Sequence, residues 1–511
     1  MLSKLFENSF FVLCVTYFYL ARGLLGEVLA RLQVLSGLAR APCPHRVQIT
    51  CGWLEQCLWN SGVYTHENYR PVRAVELSDS PGNRGLVALS RRVTVHYDDS
   101  AKPQKGEGSR LPNSLFLKLS NTGVHLRANV IFSGQAREGS FYALWAARRW
   151  QSGGDGEHAT QLGLSLNAVP RVLYAHSSRL LGEFVMLLEN LFDEQRPHAA
   201  ERPRLGANMV FGNQLWGVPE PERLLLARAP AVDAVVALRA AFRAAASLHA
   251  SHWCDPMICD RKEAARRFGM PDLRAAGWYR GAERLSWELG ARRARLGWQS
   301  GMARARAGEW TCSPEIGALM DCSLRQGTWE RLRAHISDPR VPFALCHGDF
   351  HAANAVVELA ELAEAPEQAE QTATGRLANL ILVDWSELGV WEPTADVAQM
   401  VISDLKVARF GEVRAAVREA YYGSLCELVR GGQERLLREW QFDFERCWRD
   451  FVRGGLDRWV WMFGVISGFP QVPAPALQYF HDQMHAFFVQ FAKPLGMKPD
   501  DFALQSVALL L

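Results

Sequence analysis

The sequence predicts an α+β protein of two lobes, strand-rich first and helical afterwards. Between residues 47 and 191, short runs with a two-residue apolar period alternate with polar turns. Beyond Leu191 such runs become rare and apolar residues recur at helical spacing, as in "AVDAVVALRAAFRAAASLHASHW". A length of 511 residues also exceeds what one ordinary core holds. The expected division is an apolar helical extension over 1–46, a strand-rich lobe over 47–191 and a larger helical lobe over 192–511.

The elements follow in order. "NSFFVLCVTYFYLA", residues 8–21, is uncharged and mostly apolar, yet shorter than the roughly 20 residues a spanning helix needs. The helical apolar rhythm continues to residue 38 without a clean cleavage site. A helix packed on the protein or lying on a membrane surface through residues 8–38 is expected, with a spanning signal anchor as the alternative. Thr50 is placed to cap a helix whose apolar side carries Trp53, Leu54, Cys57 and Leu58. Two extended runs then flank a turn holding Pro81, Gly82, Asn83 and Gly85, and in the second Val93, Val95 and Tyr97 alternate with Thr94 and His96. In "PNSLFLKLS", Leu115, Leu117 and Leu119 share one strand face and leave Lys118 on the other. "REGSFYALWAARRW" predicts a helix with Glu138, Tyr142 and Trp145 on one side. "VPRVLYA" and "EFVMLLENL" predict another strand pair, and "VPFALC" and "LANLILVDW" predict buried strands in the second lobe. The Ala/Glu-rich stretch 358–375 reads as a surface insertion, and the arginines between 261 and 306 read as a solvated helical face.

Composition excludes some functions. Against 57 Lys and Arg stand 54 Asp and Glu, a net charge of +3, so nucleic-acid binding has no electrostatic footprint. The eleven cysteines form no C-x-x-C pair and are odd in number. That disfavours a zinc knuckle or a disulfide framework and favours a reducing, cytoplasmic compartment, with membrane association through the N-terminal helix.

The densest chemistry is "HGDFHAAN", residues 347–354. Two readings compete: a metal held by His347 and His351, or a carboxylate that takes a proton. The zinc reading wants a helix and a Glu after the first His, but Gly348 stands there behind a strand-like run. The carboxylate reading needs Asp349 as base, an amide oxygen and a second carboxylate for a metal. Asn354 lies five residues on, and Asp384 follows the apolar run of "LANLILVDW". Magnesium prefers such oxygen ligands and completes its shell with water and phosphate.

H-G-D-x-x-x-x-N, an apolar strand ending in Asp and then "TADVAQ" resemble the catalytic core of the aminoglycoside phosphotransferase and choline kinase superfamily. The order of "LPNSLFLKLS", "AREGSFY", "VPRVLYA", "FVMLLENL", "SLHASHW" and "LCHGDFHAAN" is most similar to its ecdysteroid-kinase-like (CHK kinase-like) branch, over roughly residues 47–460. The resemblance implies the bilobal protein-kinase-like fold and transfer of the ATP γ-phosphate, with Mg2+, to a small-molecule hydroxyl. It implies Asp349 as catalytic base and Asn354 and Asp384 as metal ligands. Lys118 would meet the α and β phosphates and pair with Glu138, Gly82 to Gly85 would cover the phosphates, and Glu189 to Leu191 would form the adenine hinge. Asp396 and His347 would support the catalytic loop, while His351 receives no chemical role. Two departures stand out: "SPGNRG" is not G-x-G-x-x-G, and Trp385 follows the metal aspartate where a protein kinase carries Phe-Gly. The alternative is a catalytically silent pseudokinase or ATP-binding regulatory module; retention of all five reactive residues favours the enzyme. A basic lobe with Trp459, Trp461 and Phe463 favours a sterol-like or other lipophilic alcohol, then choline, then aminoglycosides. No protein partner is expected.

Overall fold

The computed structural model describes residues 9–38, 42–79, 88–98, 111–151, 164, 168–191, 205–208, 233–260, 262–263, 266, 284–359 and 377–502. Gly82, Gly85 and most of the 358–375 insertion lie outside these residues.

The first lobe is a five-stranded antiparallel sheet in the order β1-β2-β3-β5-β4. Its strands are β1 (Val72–Asp79), β2 (Ala88–Tyr97), β3 (Ser114–Ser120), β4 (Val172–Ser178) and β5 (Glu183–Glu189). Alternation decides its faces. Leu115, Leu117 and Leu119 are fully buried against Val93, Val95, Val185 and Leu187, with Leu54 and Leu58 closing the core. The latter two belong to the helix Cys51–Asn60, which Thr50 caps by accepting the Trp53 amide at 3.3 Å. Because side chains alternate along a strand, Lys118 faces the opposite side, where it pairs with Met186 across the ladder.

Among the described residues, three further helices cover that lobe. The N-terminal helix α1 (Ser9–Leu35) packs on α2 (Val124–Ser133), an element the sequence pattern did not mark. By length and composition α1 could cross a bilayer, although little of it is buried. The third helix, α3 (Arg137–Gln151), buries Glu138, Phe141, Tyr142 and Trp145 along one side. Phe141 stacks on Trp385 of the second lobe at 4.3 Å between ring centroids.

The second lobe is mostly helical. Its α4 (Ala234–Ser251) is capped by Asp233, which accepts from the Val235 and Val236 amides at 2.8 and 3.2 Å. At its centre α5 (Pro393–Asp404) is buried at every position. It crosses α6 (Phe444–Ser467) where Gly454 and Gly455 let Ala395 and Ala398 approach. A small sheet, β7 (Ala344–Cys346) with β10 (Gly389–Trp391), and a second, β6 (Leu205–Asn208), β8 (Ala355–Leu359) and β9 (Leu377–Leu382), frame the loop 347–354. The described elements form a bilobal α+β architecture.

Two expectations for this lobe change. The described arginines of 284–306 are not a freely solvated face. Arg295 donates to the Leu324 and Gly327 carbonyls at 2.8 and 2.9 Å, and Arg304 donates to the Val472 carbonyl at 3.0 Å. Trp459, Trp461 and Phe463 are interior packing, with Trp461 against Trp287 and Phe463 against Trp298 and Trp310.

Candidate active site

The loop 347–354 is held from one side by α5. Its Asp396, Gln399 and Asp404, spaced by three and five residues, fall on one helical side. Asp396 accepts the His347 and Gly348 amides at 2.9 and 3.0 Å. Gln399 donates to Asp349 Oδ1 at 2.9 Å, and Asp404 accepts the Ala352 amide at 2.8 Å. Gly348 sits at φ +86°, and any Cβ there would overlap the Glu387 carbonyl. Arg458 donates to the Gly348 carbonyl from a fully buried position.

His347 is buried, which lowers its pKa and keeps the ring neutral. A single tautomer then satisfies it. Nε2–H donates to the Val383 carbonyl at 3.0 Å, and Nδ1 accepts the Asp349 amide at 3.3 Å. With both nitrogens occupied, His347 cannot join His351 on zinc. Among the described residues the one metal-compatible group of His, Cys, Asp and Glu is His249, Cys346 and Asp396. There His249 Nδ1 already meets the Tyr421 hydroxyl at 3.0 Å, and both Asp396 oxygens hold backbone amides.

Asp349 Oδ2 lies 3.2 Å from His351 Nε2 and 3.2 Å from Asn354 Nδ2. Burial alone would raise the Asp349 pKa, but His351, Arg458 and Gln399 together hold it well below the usual carboxylate range. His351 moves the other way. Burial opposes its charge, and the Asp349 carboxylate overcomes this, pushing it up to about 9. Sequence reasoning gave His351 no chemical role, yet it touches the central carboxylate. Gln399 and Asp404 were also missed; their only signal is their spacing after Asp396.

Across the cleft, Lys118 Nζ lies 2.9 Å from Glu138 and 3.2 Å from Asp384 Oδ2. Burial would lower its pKa, but the Asp384 and Glu138 carboxylates raise it and keep the ammonium charged. One cation thus ties β3 and α3 to the end of β9. Asp384 adopts left-handed backbone at φ +61°, ψ +70°, a conformation that costs energy for a non-glycine residue and clusters at functional sites. Its Oδ1 is buried without a hydrogen-bond partner. Asn354 spends its amide N–H groups on Asp349, at the carbonyl (2.9 Å) and at Oδ2, so its oxygen is the atom left for a ligand. An orphaned carboxylate oxygen and an amide oxygen are the hard donors magnesium takes.

At the strand end leading out of the first lobe, Glu189 exchanges hydrogen bonds with Arg171. Its amide donates to the Arg171 carbonyl at 2.9 Å, and its Oε1 accepts the Arg171 amide at 2.7 Å. Leu191 packs with Val356 and Ile381 of the second lobe.

No known family model and no curated protein sequence match the chain. Solved structures do. A choline kinase from Cryptosporidium parvum is 10% identical, with 86% of this chain and 95% of that chain covered at a TM-score of 0.42. An amicoumacin kinase solved with AMP-PNP and Ca2+ is 11% identical over 80% of this chain and 87% of that one, at a TM-score of 0.37. An ethanolamine kinase from Plasmodium vivax is 10% identical over 82% and 83%, at 0.34. Likenesses this distant say nothing about activity, which has to be argued from the site.

Proposed function

We propose that the chain is an ATP- and Mg2+-dependent phosphotransferase acting on a hydroxyl of a small molecule. One observation carries this reading above the rest: the Lys118 ammonium bridges Glu138 and Asp384, while Asp349 is held in the second lobe. A buried cation fixed by two carboxylates suits anionic phosphate oxygens. A carboxylate held ionised suits the proton of an attacking alcohol.

In this reading Asp349 aligns the acceptor hydroxyl and accepts its proton as the oxygen bonds to the γ-phosphorus. The bond to the ADP oxygen breaks, and Lys118 steadies the departing diphosphate. Asn354 and Asp384 would hold magnesium, which when bound neutralises phosphate charge. Gln399 and His351 fix the Asp349 carboxylate, and Asp396, Asp404 and Arg458 hold the loop that carries it. Glu189 to Leu191 would offer backbone groups to adenine, and the Gly82–Gly85 turn would cover the phosphates. Membership of the ecdysteroid-kinase-like branch is part of the same proposal and rests on the ordered sequence motifs. A lipophilic, sterol-like alcohol remains the proposed acceptor, but without Trp459, Trp461 and Phe463 as its walls.

The test is ATP consumption by the purified chain across sterols, choline and aminoglycosides at equal concentration, with product masses. A phosphorylated product that disappears in Asp349→Asn supports the enzyme. Nucleotide binding with no turnover on any acceptor favours the silent regulatory module.

A further inference from the structure

The polarity of α1 is inverted. The side against the protein holds Gly23, Gly26, Glu27 and Ala30, all buried. A Cβ on Gly26 would come within 2.8 Å of the Leu181 carbonyl, and one on Gly23 would overlap that of Val124. At the centre of this contact Glu27 Oε2 accepts Arg127 Nε at 2.6 Å, and Arg127 is fully buried. Glu27 also accepts Arg31 Nε at 3.0 Å and the Gly123 amide at 3.3 Å, and His45 Nε2 lies 3.2 Å away. Small residues and an ion pair therefore fix which way the helix faces.

The outer side carries the large apolar residues. Tyr17, Phe18, Leu25 and Leu35 are 62%, 57%, 54% and 83% exposed, and Leu24 and Leu32 extend the same surface. Nine of the sixteen exposed large hydrophobics among the described residues lie between 13 and 38. Leu180, 64% exposed, sits on the β4–β5 turn beside the Leu181 carbonyl that meets Gly26. A helix that only packed on a soluble domain would face the other way.

We infer that α1 lies in the plane of an anionic lipid surface, with its outer side inserted and the first lobe resting on the headgroups. Charge selects this occupant. The charged residues of α1 are Arg22, Glu27 and Arg31, and Glu27, the one acid, is turned inward. Arg31 is 67% exposed, and Arg46 and Arg179 are exposed beside His45 and Leu180. The Arg22 guanidinium lies 6.0 Å from the Phe18 and Tyr19 ring centres, an apolar stem ending in a cation, as snorkelling residues have. Among the described residues, an apolar face rimmed by arginine, with the helix's acid turned inward, complements anionic headgroups. A second copy of the chain would instead bring arginine against arginine. A spanning helix would have to surrender the Glu27–Arg127 pair and carry Glu27 into the bilayer.

The inference is independent of the phosphotransferase reading. The experiment is flotation of the full-length chain with vesicles of phosphatidylcholine alone and with roughly a third phosphatidylserine. Binding should favour the anionic vesicles and be reversed by high salt or alkaline carbonate. Leu25→Glu with Leu32→Glu, both exposed, should lower binding roughly tenfold or more without changing the melting temperature. Arg179→Gln should weaken binding to anionic vesicles only. Absence of vesicle binding, or resistance to carbonate extraction, overturns the inference. So does a dimer in light scattering that the leucine double variant dissolves while wild-type chain ignores vesicles.

Discussion

The Glu27–Arg127 contact makes a quantitative prediction about what holds α1 in place. Burial alone would raise the Glu27 carboxyl, but bonds from Arg127, Arg31 and the Gly123 amide lower it from 4.5 to about 2. Arg31 lies on the same helix and stays with Glu27 on release, so the part of this difference that reports docking corresponds to about 1–2 kcal/mol at neutral pH. The sign follows from proton binding. Between the two values the released helix binds the extra proton, so acid favours release. The contribution is complete above about 4.5 and is lost as pH falls through about 2. Glu27→Gln removes the charge at every pH, and Arg127 keeps the Leu181 carbonyl and Glu183 at 3.2 Å. The variant should therefore lose about 1–2 kcal/mol of docking free energy at neutral pH and little in strong acid. Hydrogen exchange of the α1 amides reads this locally, without requiring two-state unfolding of a chain this large. Protection in Glu27→Gln should fall roughly tenfold near pH 7 and approach the wild-type value only near pH 2 or below. Equal protection in both proteins at neutral pH would show that the pair does not secure the helix.

Other predictions concern the site. Asp384→Ala should cut phosphoryl transfer by roughly 10²–10³ or more while nucleotide binding, followed by calorimetry, weakens only moderately; near-parental turnover would remove Asp384 from the metal set. His351→Ala should lower kcat on the order of tenfold with KM for ATP unchanged, since it lies 3.2 Å from Asp349 Oδ2; an unchanged kcat would return His351 to the role the sequence gave it. Gly348→Ala forces a Cβ onto the Glu387 carbonyl at φ +86° and should lower the midpoint of urea unfolding, where a wild-type midpoint would contradict the loop geometry.

The sheet was legible because its signal is local. Leu115, Leu117 and Leu119 against Lys118 can be sorted by a period of two alone, and the burial follows that period. The loop 347–354 and Asp384 were legible as a set of residue types around strand ends. What encloses them was not. Gln399 and Asp404 are ordinary polar residues until α5 is known to be buried all round, when every polar side chain on it needs a partner. The arginine stretch misled for a related reason: composition cannot tell which guanidinium meets the end carbonyls of a neighbouring helix, as Arg295 does at Leu324 and Gly327. The same holds for Trp459, Trp461 and Phe463. Their two-residue spacing suggests one wall only in a strand, and on a helix it turns Trp461 away from Trp459 and Phe463.

The N-terminal helix separates amount of hydrophobicity from its direction. Apolar content over residues 13–35 is compatible with a buried helix, a spanning one or a surface one. The discriminating residue is the single acid. In a helix buried in a core Glu27 would point outward, and in a spanning helix it would have to be neutralised within the bilayer. Here it points inward to a buried guanidinium, and two glycines and an alanine share its side. Polar attachment inside and apolar surface outside are the arrangement a lipid interface stabilises. The proposed surface placement therefore rests on the position of one carboxylate, to which hydropathy is blind.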